Sequence, residues 1–231
     1  EGAENAPAYR GLAYVVFERL PLAGFGNRVP QFSFEVVRPL NGLGARIKAI
    51  QIIPGASEFA YDIAAVVRVT EPGVSVMENV HQQVAASDVL ASLDALAAVC
   101  PNLRHVSIVA SWFGSDLRAG HCTVTPRVEY NVKETAGGEW SVAGLTRAQA
   151  LEVSRVEGAP AYGGTPSDAS VIALISEAKR RGWQVTLYPF LMMDVAAGNA
   201  LPDPSSGGTG EPPYPLRGRI TRDPPPGRPR T

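Results

Sequence analysis

Pro166-Ser167-Asp168-Ala169-Ser170-Val171-Ile172-Ala173-Leu174-Ile175-Ser176-Glu177-Ala178-Lys179-Arg180-Arg181-Gly182-Trp183-Gln184-Val185-Thr186-Leu187 reads as a helix followed by a strand. Pro166-Ser167 marks the N-terminus of the helix. Val171, Ile172, Leu174, Ile175 and Ala178 recur at helical spacing and make an apolar stripe. Lys179, Arg180 and Arg181 sit where the helix dipole favours cations, and Gly182 can take the left-handed conformation that ends a helix. Trp183–Leu187 is then a short apolar strand closed by Tyr188-Pro189-Phe190.

The same grammar appears upstream. Ser87 and Asp88 form an N-cap and first-turn acid, Leu90, Leu93 and Ala97 follow on one face, and Pro101 stops the helix. Val106, Ile108, Ala110 and Trp112 alternate with Ser107, Val109 and Ser111 in a strand that ends at Phe113-Gly114. Two strands joined through a helix form a βαβ unit with parallel pairing and a right-handed crossover. Ser167–Arg181 is therefore expected to be helical, with Trp183–Leu187 parallel to His105–Trp112. One such unit cannot cover both faces of its sheet, so a doubly wound sheet or a barrel is expected.

Before residue 72 the period is two. Tyr14–Phe17 and Phe32–Val36 read as strands of a hairpin whose connection holds Gly24, Gly26 and Asn27. Arg46–Ile53 and Phe59–Val69 add two more, separated by a Pro54-Gly55 turn. The pattern changes near Glu71-Pro72-Gly73. This divides the chain into a mostly antiparallel β module over 1–72 and an α/β segment over 73–231, with a Pro/Gly-rich loop over 196–231.

The chain has 231 residues and 24.4 kDa with 45% hydrophobic content, enough for a sizeable core. Its formal charge of −1 provides no whole-chain field for nucleic acid, and no specific nucleic-acid contact is expected. Arg217, Arg219, Arg222, Arg228 and Arg230 make only a local basic patch in a loop. Cys100 and Cys122 lie outside CxxC spacing and read as buried free thiols. No apolar run reaches the roughly 18 to 20 residues of a membrane span, so no span is expected. His81, His105 and His121 have no metal-ligand spacing, and GxGxxG, GxxxxGK[ST] and GxSxG are absent, so neither metal nor cofactor is expected.

Parallel α/β architecture collects functional groups beyond the carboxyl ends of its strands. That position nominates Asp116, Glu129 and Asp194 as candidate catalytic acids, and Trp112, Tyr188 and Arg127 as candidate substrate-binding residues. Carboxylates beside aromatic rings suit sugar cleavage, in which rings stack on pyranose faces and acids donate protons or attack. Asp and Glu near strand ends also serve as ordinary loop and cap residues.

Several strings resemble the large tail-tip proteins of siphophage-like particles, above all those of gene transfer agents. In the first part they are Ala8-Tyr9-Arg10-Gly11, Phe25-Gly26-Asn27-Arg28-Val29-Pro30 and Phe32-Ser33-Phe34-Glu35-Val36. The second part resembles the glycoside-hydrolase TIM-barrel-like domain of those proteins. Its strings include Glu78-Asn79-Val80-His81, Ser111-Trp112-Phe113-Gly114, Pro160-Ala161-Tyr162-Gly163-Gly164-Thr165-Pro166-Ser167-Asp168 and Leu187-Tyr188-Pro189-Phe190-Leu191-Met192-Met193-Asp194. The resemblance implies a β module followed by the first part of a (β/α)8 barrel, an internal piece of a larger soluble protein whose barrel is left unfinished. It also implies a structural component of a phage-like tail tip or baseplate hub, located in a virion-like particle and acting in host-surface contact and DNA delivery. The implied partners are other tail-tip and hub proteins, further copies of the chain and a cell-surface glycan. The alternative is a glycoside hydrolase acting on cell-wall or surface glycan, although likeness of fold does not establish activity.

Overall fold

A computed structural model describes residues 15–26, 28–34, 42–55 and 57–213. The chain divides into two units, Glu1–Val36 and Val37–Thr231. In the first, Ala23–Phe25 forms one 3-10 turn ended by Gly26 at φ 65°, a left-handed conformation that glycine adopts without a Cβ clash. The Phe17 and Phe32 rings stack with centroids 4.3 Å apart. Tyr14, Glu35 and Val36 of the expected hairpin lie outside the described residues, and residues 15–17 and 32–34 form no strand.

The second unit is organised around one parallel sheet. Its strands are β1 (Ala49–Ile52), β4 (His105–Gly114) and β6 (Gln184–Met193), in the order β1-β4-β6. Ile52 lies beside Ile108, and Leu187 lies beside Ile108 on the other edge, both in parallel register. Val124–Thr125 adds an antiparallel piece at the end of β4. Two further strands, β2 (Val67–Glu71) and β3 (Val74–Met77), form a hairpin, and β2 also pairs antiparallel with β5 (Glu134–Ala136).

Helices α1 (Asp88–Val99) and α2 (Asp168–Arg180) pack on one face of the parallel sheet. Val89 and Leu93 of α1 and Leu174 and Ala178 of α2 are buried in one cluster with Val106 and Ile108 of β4. Ser167 caps α2 by accepting a hydrogen bond from the Ser170 amide at 3.1 Å. Val171 and Ile175 pack against this core, whereas Ile172 is 63% exposed and leaves the stripe. The apolar arc of α2 is thus narrower than its sequence suggests. A second cluster of Val128, Trp140, Val142 and Ala150 organises the long excursion between β4 and α2.

The expected architecture, an antiparallel β module followed by the first part of a (β/α)8 barrel, is therefore corrected. The described residues form several small sheets, only one of them a four-stranded sheet with parallel pairing, with few helices and no complete barrel. Two pairings explain the difference. Ala49–Ile52, read as part of the antiparallel module, joins β4 in parallel because the long connection through α1 permits a crossover. Strands β2 and β3, which flank residue 72, pair with each other, and β2 finds its other neighbour in β5. Alternation specifies which face a side chain occupies and leaves the neighbouring strand open. No described helix is long and apolar enough to cross a membrane.

Leu174→Ala should lower unfolding stability by about 2 to 5 kcal/mol, since Leu174 is fully buried. Ile172→Ala should change it by less than about 0.5 kcal/mol. Urea denaturation of both variants measures the contrast, and equal losses would contradict this packing.

Candidate functional site

Asp116 and Asp194 lie just beyond β4 and β6, Glu129 lies in the excursion between β4 and α2, and each is held by a cation in its own surroundings. Asp116 lies just beyond β4 and is buried. Its Oδ1 accepts hydrogen bonds from the Arg118 amide at 2.8 Å and Nε at 3.0 Å, and its Oδ2 accepts from Nη2 at 2.7 Å. These bonds hold the Asp116 carboxyl below its ordinary range although burial opposes them. Glu211 reaches the same place from the later loop and accepts the Leu117 amide with both oxygens, at 3.1 and 3.0 Å. Burial pushes the Glu211 carboxyl up against that bond, and Asp116 adds to the rise.

Asp194 directly follows β6. Its amide donates to the Gly114 carbonyl at 2.9 Å, which carries the pairing with β4 one residue further. Its Oδ2 accepts from Arg127 Nη1 at 2.7 Å and from the Ser154 amide at 2.9 Å. Arg127, nominated to bind substrate, is thus the ion-pair partner of a nominated catalytic acid. The pair lines a cavity of about 420 Å3 with Ser115 and the segment through Leu201.

Glu129 belongs to a different neighbourhood, a buried network that includes residues the sequence reading missed. Lys133 bonds Glu129, and its Nζ lies 3.1 Å from Glu78 and 3.3 Å from Glu58. Arg147 Nη1 lies 2.5 Å from Glu58 Oε1, and Arg68 Nε lies 3.0 Å from Glu78. Glu129 Oε1 accepts the Glu58 amide at 3.1 Å, while Glu58 Oε2 accepts the Glu129 amide at 3.4 Å. Burial pushes the Glu58 carboxyl up against the pull of Arg147 and Lys133. Burial also disfavours the charged Lys133, but the hydrogen bond to Glu129 and the charges of Glu58 and Glu78 outweigh it, so its pKa rises. A charged, tightly partnered ammonium is a poor nucleophile and a good crosslink.

Gly164 makes this packing feasible. A Cβ there would stand 2.7 Å from Glu58 Oε2 and 2.9 Å from the Arg127 carbonyl. Glu78, Glu129 and Lys133 line a cavity of about 730 Å3 that the hairpin β2-β3 and α1 also border. Asp194 lines the smaller cavity described above, a different one. A glycosidase needs two carboxyls across one sugar linkage, about 5 to 10 Å apart. Trp112 packs against the second hydrophobic cluster, whereas Tyr188 is 43% exposed and lines a third cavity. Among the described residues no group of three or more His, Cys, Asp or Glu side chains could hold a metal ion.

The missed members, Glu58, Glu78, Lys133 and Arg147, are scattered along the chain. Only Glu129 and Lys133, four residues apart, carry any local signal of pairing. No protein-family model matches the chain, and no curated protein matches it.

Removing Lys133 leaves buried carboxylates without their shared cation, and Lys133→Met should cost about 3 to 5 kcal/mol in chemical denaturation. A loss under about 1 kcal/mol would mean that the network is not what holds these segments together. Asp62 supplies a pH test. Its Oδ2 is buried without a hydrogen-bond partner, and burial raises the carboxyl from 3.8 to about 6. Between those values the folded state binds more protons than the unfolded one, so the Asp62 contribution falls as pH rises from about 4 to 6 and stays reduced above. Asp62→Asn should raise the melting temperature at pH 7 and merge with the parent protein below pH 4. An unchanged difference across that range would refute the assignment.

Proposed function

We propose that this chain is a structural component of a phage-like tail tip or baseplate hub of the gene-transfer-agent type, acting in host-surface contact and DNA delivery. The observation that carries this reading beyond the sequence resemblance is the outer edge of β6. Among the described residues this ten-residue strand is paired with β4 on one side only, and Leu187 and Tyr188 on it are 49% and 43% exposed. Parallel strands are characteristically covered, and an open apolar edge favours addition of another chain. Assembly with hub proteins and with further copies of this chain supplies that cover.

The charge arrangement supports the same reading over hydrolysis. Asp116, Glu129 and Asp194 are each engaged by a neighbouring cation, which suits rigid anchoring better than proton transfer. Reversible protonation needs a carboxyl poised near the working pH, and the Asp116 carboxyl is shifted the other way.

Antibody labelling of purified particles from a producing strain is the direct experiment. The expected result is label at the distal end of the tail, and disruption of the coding region should leave DNA-filled heads that no longer deliver DNA. Absence of the chain from particles, together with glycan hydrolysis lost in Asp194→Asn, would establish the hydrolase instead.

A further inference from the structure

The loop that follows β6 folds back on itself and is fastened to the end of β4 through a pair of carboxyls. Asn199 closes the loop: its Nδ2 donates to the Glu211 carbonyl at 2.8 Å and its Oδ1 accepts the Glu211 amide at 2.9 Å. Further out, the Gly210 amide donates to the Leu201 carbonyl at 2.7 Å and Pro202 pairs with Thr209 in an antiparallel bridge. These bonds fix Glu211 at the base of a hairpin over 199–211, from which its carboxyl reaches the Leu117 amide. Asp116 precedes that amide in the chain, and its carboxyl is hydrogen-bonded to that of Glu211. Both residues are buried, Glu211 at 2% exposure and Asp116 at 4%. Asn199, Ala200 and Leu201 of the same hairpin wall the cavity of about 420 Å3 that Arg127 and Asp194 line.

Two carboxyls bond to each other only while one of them carries a proton, because an ionised carboxylate has no donor. The Arg118 guanidinium and amide both bond Asp116, which makes Asp116 the ionised partner and Glu211 the proton carrier. Arg118 is the cation that faces both acids, and on the cavity side Arg127 and Asp194 neutralise each other. We propose that Asp116 and Glu211 form a proton-operated latch: the shared proton holds the hairpin over 199–211 against the end of β4, and its loss to solvent sets two buried anions side by side, releases the hairpin and opens the Arg127–Asp194 cavity. The direction follows from burial, which raises the Glu211 carboxyl above its ordinary 4.5. The latch is therefore closed at and below the ordinary carboxyl range and lost as pH rises through the raised value. It does not depend on the tail-tip reading, since the same hairpin would close the same cavity in a hydrolase.

Hydrogen exchange of the full chain, read by mass spectrometry at about pH 4.5 and about pH 8 and corrected for the intrinsic pH dependence of exchange, tests it. Peptides over 199–211 should lose protection roughly tenfold or more between the two, within the ceiling of about tenfold per pH unit that one proton imposes. Peptides over Asp168–Arg180 should not follow. Glu211→Gln puts in place of the acid an amide that still donates to Asp116 and accepts from Leu117, so its hairpin should stay protected at both pH values. Asp116→Asn removes the neighbouring anion and should also flatten the response. His121 is the other titratable side chain of this turn, with its amide on the Arg118 carbonyl at 2.9 Å, and His121→Gln should leave the response in place. Equal protection of the parent hairpin at both pH values, an equal loss over Asp168–Arg180, a loss undiminished in Glu211→Gln and Asp116→Asn, or a response abolished by His121→Gln would each overturn the latch.

Discussion

Parallel hydrogen bonding of β4 on both of its edges is the constraint from which the larger unit is built. Ala49–Ile52 lies along one edge, and the whole of Gln184–Met193 lies along the other. Each pairing requires a crossover, so α1 and α2 are held over the same face and bury Leu93 and Leu174 there. Tyr61 ties the arrangement at a single point. Its hydroxyl lies 3.0 Å from the Ile52 carbonyl and 2.9 Å from that of Val109, bridging β1 and β4 where their pairing ends. Burial drives the phenol pKa up, which keeps this donor protonated.

Long excursions are attached to that sheet by polar groups rather than by further strands. Asn79 accepts the Val66 amide at 2.8 Å and donates to the Asp62 and Ala64 carbonyls at 2.9 and 2.8 Å. One side chain thereby satisfies backbone groups that no sheet reaches. The Glu58–Lys133–Arg147 network performs the same task over longer distances, joining the loop after β1 to the excursion after β4. Phe59 lies against both cations, 5.4 Å from Lys133 and 5.5 Å from the Arg147 guanidinium, so the charges pack among aromatic groups rather than in open solvent. Burial makes such pairs poor sources of net stability but effective in specifying one arrangement, because every mispaired alternative strands a charge. This is a reason for acids at strand ends that involves no catalysis.

The surface of the parallel sheet divides by chemistry. One face is covered by helices, the other carries a neutral aromatic cavity, and the charged cavities lie beyond the sheet at loops. Tyr188 lies on β6 and lines the neutral cavity.

From sequence alone, local periodicity and end signals determined α2 and the start of β6: Ser167 caps the helix, Gly182 follows it at φ 81°, and the strand pairs in parallel with β4, but it runs on through Tyr188-Pro189-Phe190, read as its close, to Met193. The position of Asp116 just after β4 was legible for the same reason, because Phe113-Gly114 marks that strand's end, whereas Asp194 directly follows β6 only because the strand extends to Met193. The partners of those acids were only partly so. Arg118 stands two residues from Asp116, but Arg127 reaches Asp194 across 67 positions and Arg147 reaches Glu58 across 89. Tertiary structure alone decided that Ala49–Ile52 joins the parallel sheet, that β2 pairs with Glu134–Ala136, and that the three nominated acids are ion-paired. Periodicity records which face a residue presents, whereas the partner on that face is set by which distant segment can bury the same surface and neutralise the same charge.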